Sequence, residues 1–272
     1  MIDEVLLTND DGIDATGLRA LEDALLDDYS VTVVAPSTNQ SGVGGERSWW
    51  KTTVEFRETD LGYAVDGTPA DCVAVAVTAL EMEPDIVVSG CNHGPNIGSH
   101  IIGQSGTVGA AMEAAHLGLP GIAVSLYDRT ELPLPAASTR ADFRHAAEFT
   151  NHLVERRLSE GPLAGEEVLN VNAPVPGDAI DPAVRLTEPA AGFEVVEQDP
   201  GNDGIESRGE AGMELRDRFW RQFLDMDIPD DIGTDRRATV DGEISVSPLS
   251  VSRSSLNGQS GETIQSPLDP RS

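Results

Sequence analysis

The chain has 272 residues, 39% of them hydrophobic, enough for one large α/β domain or for a core domain with an appendage. A net charge of −29 and a pI near 4.2 repel a phosphodiester backbone, which excludes a general DNA or RNA binder. No run of about 18 apolar residues is present, so a membrane partner is not expected.

The chain opens on Val5-Leu6-Leu7, a short run apolar on both faces like the middle strand of a parallel sheet. It stops at Thr8-Asn9-Asp10-Asp11-Gly12. Asp-Gly is a turn signal, so two adjacent carboxylates sit at the carboxyl end of the first strand, where open α/β sheets place ligands. Two buried negative charges side by side need compensation, and a cation is one answer. The other is an Asp-rich turn that caps the next helix. These residues alone leave both open.

Gly17 to Tyr29 carries Leu18, Leu21, Leu25 and Leu26 at helical spacing, an amphipathic helix against the sheet. Val31 to Ala35 is a second buried strand, ended by Pro36. The loop Ser37 to Gly45 that follows is small, polar and glycine-rich. It is either a connector or a loop that turns its hydroxyls and amides, Ser41 among them, toward Asp10 and Asp11. Trp49 to Phe56 and Leu61 to Val65 read as two short strands, a hairpin. The Trp49-Trp50 pair suits core or interface packing better than stacking on a base. Thr68-Pro69-Ala70-Asp71 is a helix start, with Thr68 at the N-cap, Pro69 first and Asp71 third.

Asp85 to Ser89 is a third buried strand and runs into Gly90-Cys91-Asn92-His93-Gly94-Pro95-Asn96, a second loop rich in amides and glycine. Ser105-Gly106-Thr107-Val108-Gly109 then opens a helix over Ala110 to Leu117. Small residues there expose backbone N–H groups, an anion site, or else serve as an N-cap with close helix–sheet packing. Gly121 to Leu126 is a fourth strand, and the alternation of strand and helix predicts a doubly wound sheet.

Beyond the proline-containing connector Asp128 to Ser138, Arg140 to Leu158 reads as a helix. His145 and His152 on it lack the i,i+4 spacing of a zinc pair and are taken as partly exposed structural histidines. Val168 to Asn172 is another strand. Pro182 to Asp231 is expected to form hairpins and loops, Ala238 to Leu249 a returning strand, and the tail after Ser252 a disordered segment. This divides the chain into a doubly wound α/β core (1–180), a C-terminal hairpin region returning to the sheet (181–252) and a tail (253–272).

Lys51 is the only lysine, and the acidic residues are spread along the whole chain. That pattern fits a surface adapted to high salt, where screening removes self-repulsion, better than an ordinary acidic protein. Cys72 and Cys91 lie in different elements and outline no disulfide framework. With no basic-then-apolar leader visible, a cytoplasmic location is expected.

Asp10 and Asp11 offer hard oxygens, Ser41 and Asn92 neutral ones, a set suited to Mg²⁺, Mn²⁺ or Ca²⁺ rather than zinc or copper. Asn96 and the Ser105-Gly106-Thr107 start offer donors to a phosphate. Together these are the minimum equipment for phosphate-ester hydrolysis. Thr8 to Gly12, Ala35-Pro36 through Ser41-Gly42, Gly67 to Cys72, Ser89 to Asn96 and Ser105 to Ala111 resemble the SurE survival-protein family. Gly233-Thr234-Asp235 and Ser245 to Leu249 resemble its C-terminal pattern. One such motif is weak; five in order are specific.

The resemblance implies a Rossmann-like αβα core, a C-terminal extension used for a homodimer or homotetramer, and 5′/3′-nucleotidase activity with one divalent metal per subunit. It implies Asp10, Asp11, Ser41 and Asn92 as metal ligands, with Asp10 and Asp11 catalytic. It implies Asn96, Ser105, Gly106 and Thr107 as phosphate ligands. Ser37-Thr38 stand where the family often has Asp-Arg, Gln104 where it often has Tyr, and the Asn96–Ser105 link is one residue longer than is usual in the family. A phosphatase for other small phosphates or short polyphosphate, and a non-catalytic nucleotide binder, are the rival readings. A dinucleotide oxidoreductase is disfavoured, because Gly-x-Gly-x-x-Gly is missing after the first strand.

Overall fold

The computed structural model describes residues 4–129, 139–156, 167–177, 182–193, 195–197, 215–217 and 228–251. The expected tail lies outside them. Strands β1 (Glu4–Thr8), β2 (Ser30–Pro36), β3 (Glu55–Thr59), β4 (Gly62–Asp66), β5 (Ile86–His93), β6 (Gly121–Tyr127), β7 (Val168–Pro174) and β8 (Val184–Leu186) belong to one sheet. β9 (Val195–Glu197) and β10 (Leu215–Asp217) form a separate antiparallel ribbon, and β11 (Ile244–Leu249) rejoins the large sheet. The order is β3-β4-β2-β1-β5-β6-β7-β11-β8. From β4 to β7 all pairs are parallel; β3 and β11 run antiparallel to their inner neighbours.

The helices are α1 (Thr16–Leu25), α2 (Pro69–Thr78), the short α3 (Ser99–Ile102), α4 (Gly106–His116), α5 (Arg144–Arg156) and α6 (Asp235–Asp241). A 3₁₀ turn over Arg140–Phe143 leads into α5. The layers follow from β1. Its alternate residues Val5 and Leu7 pack with Leu18, Leu21 and Leu25 of α1 on one face, and Leu6 packs with Val73 and Ala76 of α2 on the other. Each fully buried leucine contributes about 1.5–3 kcal/mol, so Leu21→Asp would lose that contribution and bury a charge, weakening the packing of α1 on the sheet. α5 joins α1, and α4 joins α2, which gives the three-layer, mostly parallel architecture.

Two expected elements differ. Residues 49–51 form a turn rather than the start of a strand, because Asp71 accepts from the Ser48 N–H at 3.0 Å and ties that stretch to the start of α2. Trp49 and Trp50 are exposed there. Residues 238–241 are helical. The Thr234 hydroxyl caps α6 by accepting from the Arg237 N–H, and Gly242 closes it with φ +81°. His145 is buried, its ring Nδ1 3.3 Å from the Pro174 carbonyl, while His152 is exposed. Among the described residues no helix is long and apolar enough to cross a membrane.

Candidate active site

The chain leaves β1 for β2 on one side and later returns to place β5 on the other. Such a reversal opens a crevice beyond the carboxyl ends of the two central strands. β1 delivers Asp10 and Asp11 to it, β5 delivers Asn92, and the loop after β2 brings Ser41.

The β1 turn is built by Asn9, which accepts from the Gly12 N–H at 3.2 Å and donates from Nδ2 to the Gly12 carbonyl at 2.9 Å. Gly12 has φ +104°, which an L side chain rarely adopts. The Ile13 N–H donates to the Pro36 carbonyl at 2.8 Å, and the Gln40 N–H to the Asp10 carbonyl at 2.6 Å, so the β1 and β2 loops are tied to each other.

Asp10 is buried, and its Oδ1 accepts from the Thr107 hydroxyl at 2.5 Å. Burial pushes its carboxyl above the ordinary range; the Thr107 hydroxyl and N–H pull it down, and the Asp11 charge pushes it up. Asp11 is half-buried and accepts from the His93 N–H at 3.0 Å and from Asn39 Nδ2 at 3.2 Å. Burial raises it too, against the His93 N–H, the His93 ring and the Asn39 amide.

Asn92 donates from Nδ2 to the Gly94 carbonyl at 2.6 Å, which leaves its Oδ1 to serve a ligand. Ser41 is exposed, and its N–H donates to Asn39 Oδ1 at 2.9 Å, so Asn39 links it to Asp11. Asn39 escaped the sequence reading except as one member of a polar loop. Among the described residues no group of three or more His, Cys, Asp or Glu side chains could hold a metal. A divalent cation would therefore rest on two carboxylates and neutral oxygens. That donor set fits a hard ion, and the upward push on both carboxyls is what such an ion would relieve.

The N-terminus of α4 faces the same carboxylates. Ser105 caps it, its hydroxyl accepting from the Val108 N–H at 3.1 Å. Gly106 lies so close that a Cβ on it would sit 2.8 Å from the Asp10 Cβ. Thr107 spends its hydroxyl on Asp10, a role spacing alone did not suggest. Asn96 is buried, and its Nδ2 donates to Ser125 Oγ at 2.9 Å, so one amide hydrogen remains for an anion. The expected metal and phosphate residues thus come from the loops after β1, β2 and β5 and from the start of α4.

The family described as Survival protein SurE matches residues 5–195. The 5'-nucleotidase SurE of Natronomonas pharaonis is 45% identical over 254 residues, covering 90% of this chain and 92% of its own. That of Haloarcula marismortui is 41% identical over 271 residues, covering 98% and 95%. The crystal structure of the SurE protein from Aquifex aeolicus superposes with a TM-score of 0.73 at 33% identity, covering 90% of this chain and 92% of that one.

Proposed function

The chain belongs to the SurE survival-protein family, and we propose that it hydrolyses nucleoside 5′- and 3′-monophosphates to nucleoside and phosphate at the β1–β5 crevice. The observation that carries this reading is the Asp10–Asp11 pair, raised by burial and faced by the start of α4.

Asp10, Asp11, Asn92 and Ser41 would hold one Mg²⁺ or Mn²⁺. When bound, the ion supplies positive charge against the phosphoryl oxygens and acidifies water. The residues of the chain do the rest. Asp10 is held by Thr107 and Asp11 by His93 and Asn39, so both carboxylates meet the substrate in fixed positions. The Asp11 carboxylate, the less buried of the two, orients the attacking water and takes its proton. The N–H groups at the start of α4 and the Asn96 amide receive the equatorial phosphoryl oxygens, whose charge grows in the transition state. Attack by Asp10 itself is disfavoured, since a carboxylate shared with a cation is a poor nucleophile.

Further parts of the reading rest on surface features. The apolar Val184 and Leu186 stand exposed on the edge strand β8, with Ile232 nearby in sequence to α6. They support a C-terminal oligomer contact in a dimer or tetramer. The charge of −29 and the relatives in Natronomonas pharaonis and Haloarcula marismortui support an enzyme working in concentrated salt.

The test is phosphate release from a panel of nucleoside monophosphates in molar KCl with Mg²⁺, Mn²⁺ or EDTA. The expected result is metal-dependent release that EDTA and Asp10→Asn both abolish, with the fold intact by circular dichroism. Release only from sugar phosphates or polyphosphate would replace the substrate class. No release from folded protein with either metal would leave a nucleotide binder.

A further inference from the structure

One face of the sheet changes character beyond α4. Leu169, Val171 and Ala173 of β7 point to the α1/α5 side with Val124, Leu126 and Val246. By alternation, Ser125 of β6, Asn170 and Asn172 of β7, and Ser245 and Ser247 of β11 point to the other. All five are fully buried. Register sets Ser125 beside Asn172, and sets Asn172 and Asn170 beside Ser245 and Ser247. The two β11 serines lie 2.8 Å from the Thr187 hydroxyl, which satisfies them.

The asparagines are turned to a single residue of the loop after β5. Asn172 Oδ1 accepts from the Asn96 N–H at 2.8 Å, and Asn172 Nδ2 donates to the Asn96 carbonyl at 3.1 Å. Asn170 Nδ2 donates to the same carbonyl at 2.8 Å. The Asn96 side chain in turn donates to Ser125. One amide thus offers acceptor and donor to the N–H and C=O of one peptide residue, as a neighbouring strand would. A carboxylate has no donor for the carbonyl, and a serine cannot reach both groups. Buried amides are costly unless satisfied, and Val or Leu would serve a sheet interior better if packing were the only task.

We propose that Asn172, assisted by Asn170, is a positioning residue that fixes Asn96 for the transferring phosphoryl group. The inference rests on the reading above that Asn96 holds phosphate. Asn172 touches neither substrate nor metal; it sets the height and rotation of the loop from which Asn96 reaches the anion. A displacement of about 1 Å at such a group costs on the order of a hundredfold in rate.

The experiment is a double-mutant cycle in the metal-loaded full chain, reading kcat/KM for AMP and inhibition by inorganic phosphate. Asn172→Ala is expected to lower kcat/KM about 10- to 100-fold and to weaken phosphate inhibition in parallel. Asn170→Ala, which removes one of two donors, is expected to cost less and covers the case of a poorly folded Asn172→Ala. Ser247→Ala, on the same buried face but away from Asn96, should lower the melting temperature and leave kcat/KM within about twofold. Added to Asn96→Ala, Asn172→Ala should cost little more, because it acts through Asn96. Multiplying effects in the double variant, or an Asn172→Ala no worse than Ser247→Ala, overturn the positioning role while a harmful Asn96→Ala leaves the phosphate site standing. A harmless Asn96→Ala removes Asn96 from that site and the positioning role with it.

Discussion

Thr107 and Asp10 lie 97 residues apart and are joined by a 2.5 Å hydrogen bond from hydroxyl to carboxylate, inside the protein. The first residues of α4 therefore serve the Asp10 carboxylate before they serve any substrate. A bond to a charged, buried acceptor contributes about 1.5–3 kcal/mol, more than an average hydrogen bond, so its loss should be measurable.

Thr107→Val keeps the shape and removes the donor. Its kcat/KM should fall about 10- to 100-fold, and the rise in melting temperature that Mn²⁺ gives the parent should shrink. Thr107→Ser should restore most of both. The measurement pairs steady-state phosphate release with a thermal-shift titration. Parent-like behaviour of the valine variant in both would mean that Asp10 is held without Thr107.

The turns and helix starts around the candidate site were legible in the sequence wherever local chemistry marks them. Asp10-Asp11-Gly12 declares a turn at a strand end, and Thr68-Pro69-Ala70-Asp71 declares a helix start. That start is a reciprocal capping box, with Thr68 and Asp71 exchanging hydrogen bonds. Ser105 caps α4 as its type predicts. Residues whose role depends on contacts across the sheet were not legible. Asn170 and Asn172 alternate with Leu169 and Val171 like solvent-facing strand residues, yet they face a buried loop. The helix at 235–241 was masked by the alternation that follows it, although Thr234 and Gly242 carry ordinary cap signals. Trp49 and Trp50 suggested a strand through aromatic propensity, which Ser48 bound to Asp71 overrides.

Asp235 ties this C-terminal helix to the same loop. Its Oδ2 accepts from the Gly98 N–H at 2.7 Å, and its Oδ1 from the N–H groups of Ala190 at 2.9 Å and Arg236 at 2.8 Å. Burial raises its carboxyl above 3.8; the three N–H groups and the Arg236 charge pull it back without cancelling that effect. A carboxyl raised on folding binds its proton more tightly folded than unfolded. Its contribution to stability is then complete below 3.8 and is lost as pH rises through the folded value. The unfolding free energy of the parent minus that of Asp235→Asn should therefore shrink with rising pH across that window. Paired denaturant titrations at fixed high salt measure it, and a difference that grows with pH would show Asp235 to be lowered by its donors instead.

Gly106 sets local propensity against the needs of the site. Gly106 is the first helical residue after the Ser105 cap, where alanine is favoured over glycine by less than the about 1 kcal/mol of a helix interior, so propensity alone makes Gly106→Ala neutral or slightly stabilising. The space says otherwise. The new Cβ would lie 2.8 Å from the Asp10 Cβ, 3.0 Å from its Oδ2 and 3.2 Å from Pro69 Cγ. Pro69 is fixed by the α2 cap and Asp10 by the β1 turn, so neither is the loose end of a flexible side chain. Overpacking of this kind costs about 1–3 kcal/mol, which outweighs the propensity gain. Gly106→Ala should lower the melting temperature and reduce kcat/KM by about a hundredfold, since the strain falls on the carboxylate itself. Gly45→Ala is the control, because a Cβ there meets nothing within 4 Å. Steady-state assays and thermal melts of both variants decide the matter: equal activity in the two would mean that α4 can retreat from Asp10 at no cost to catalysis.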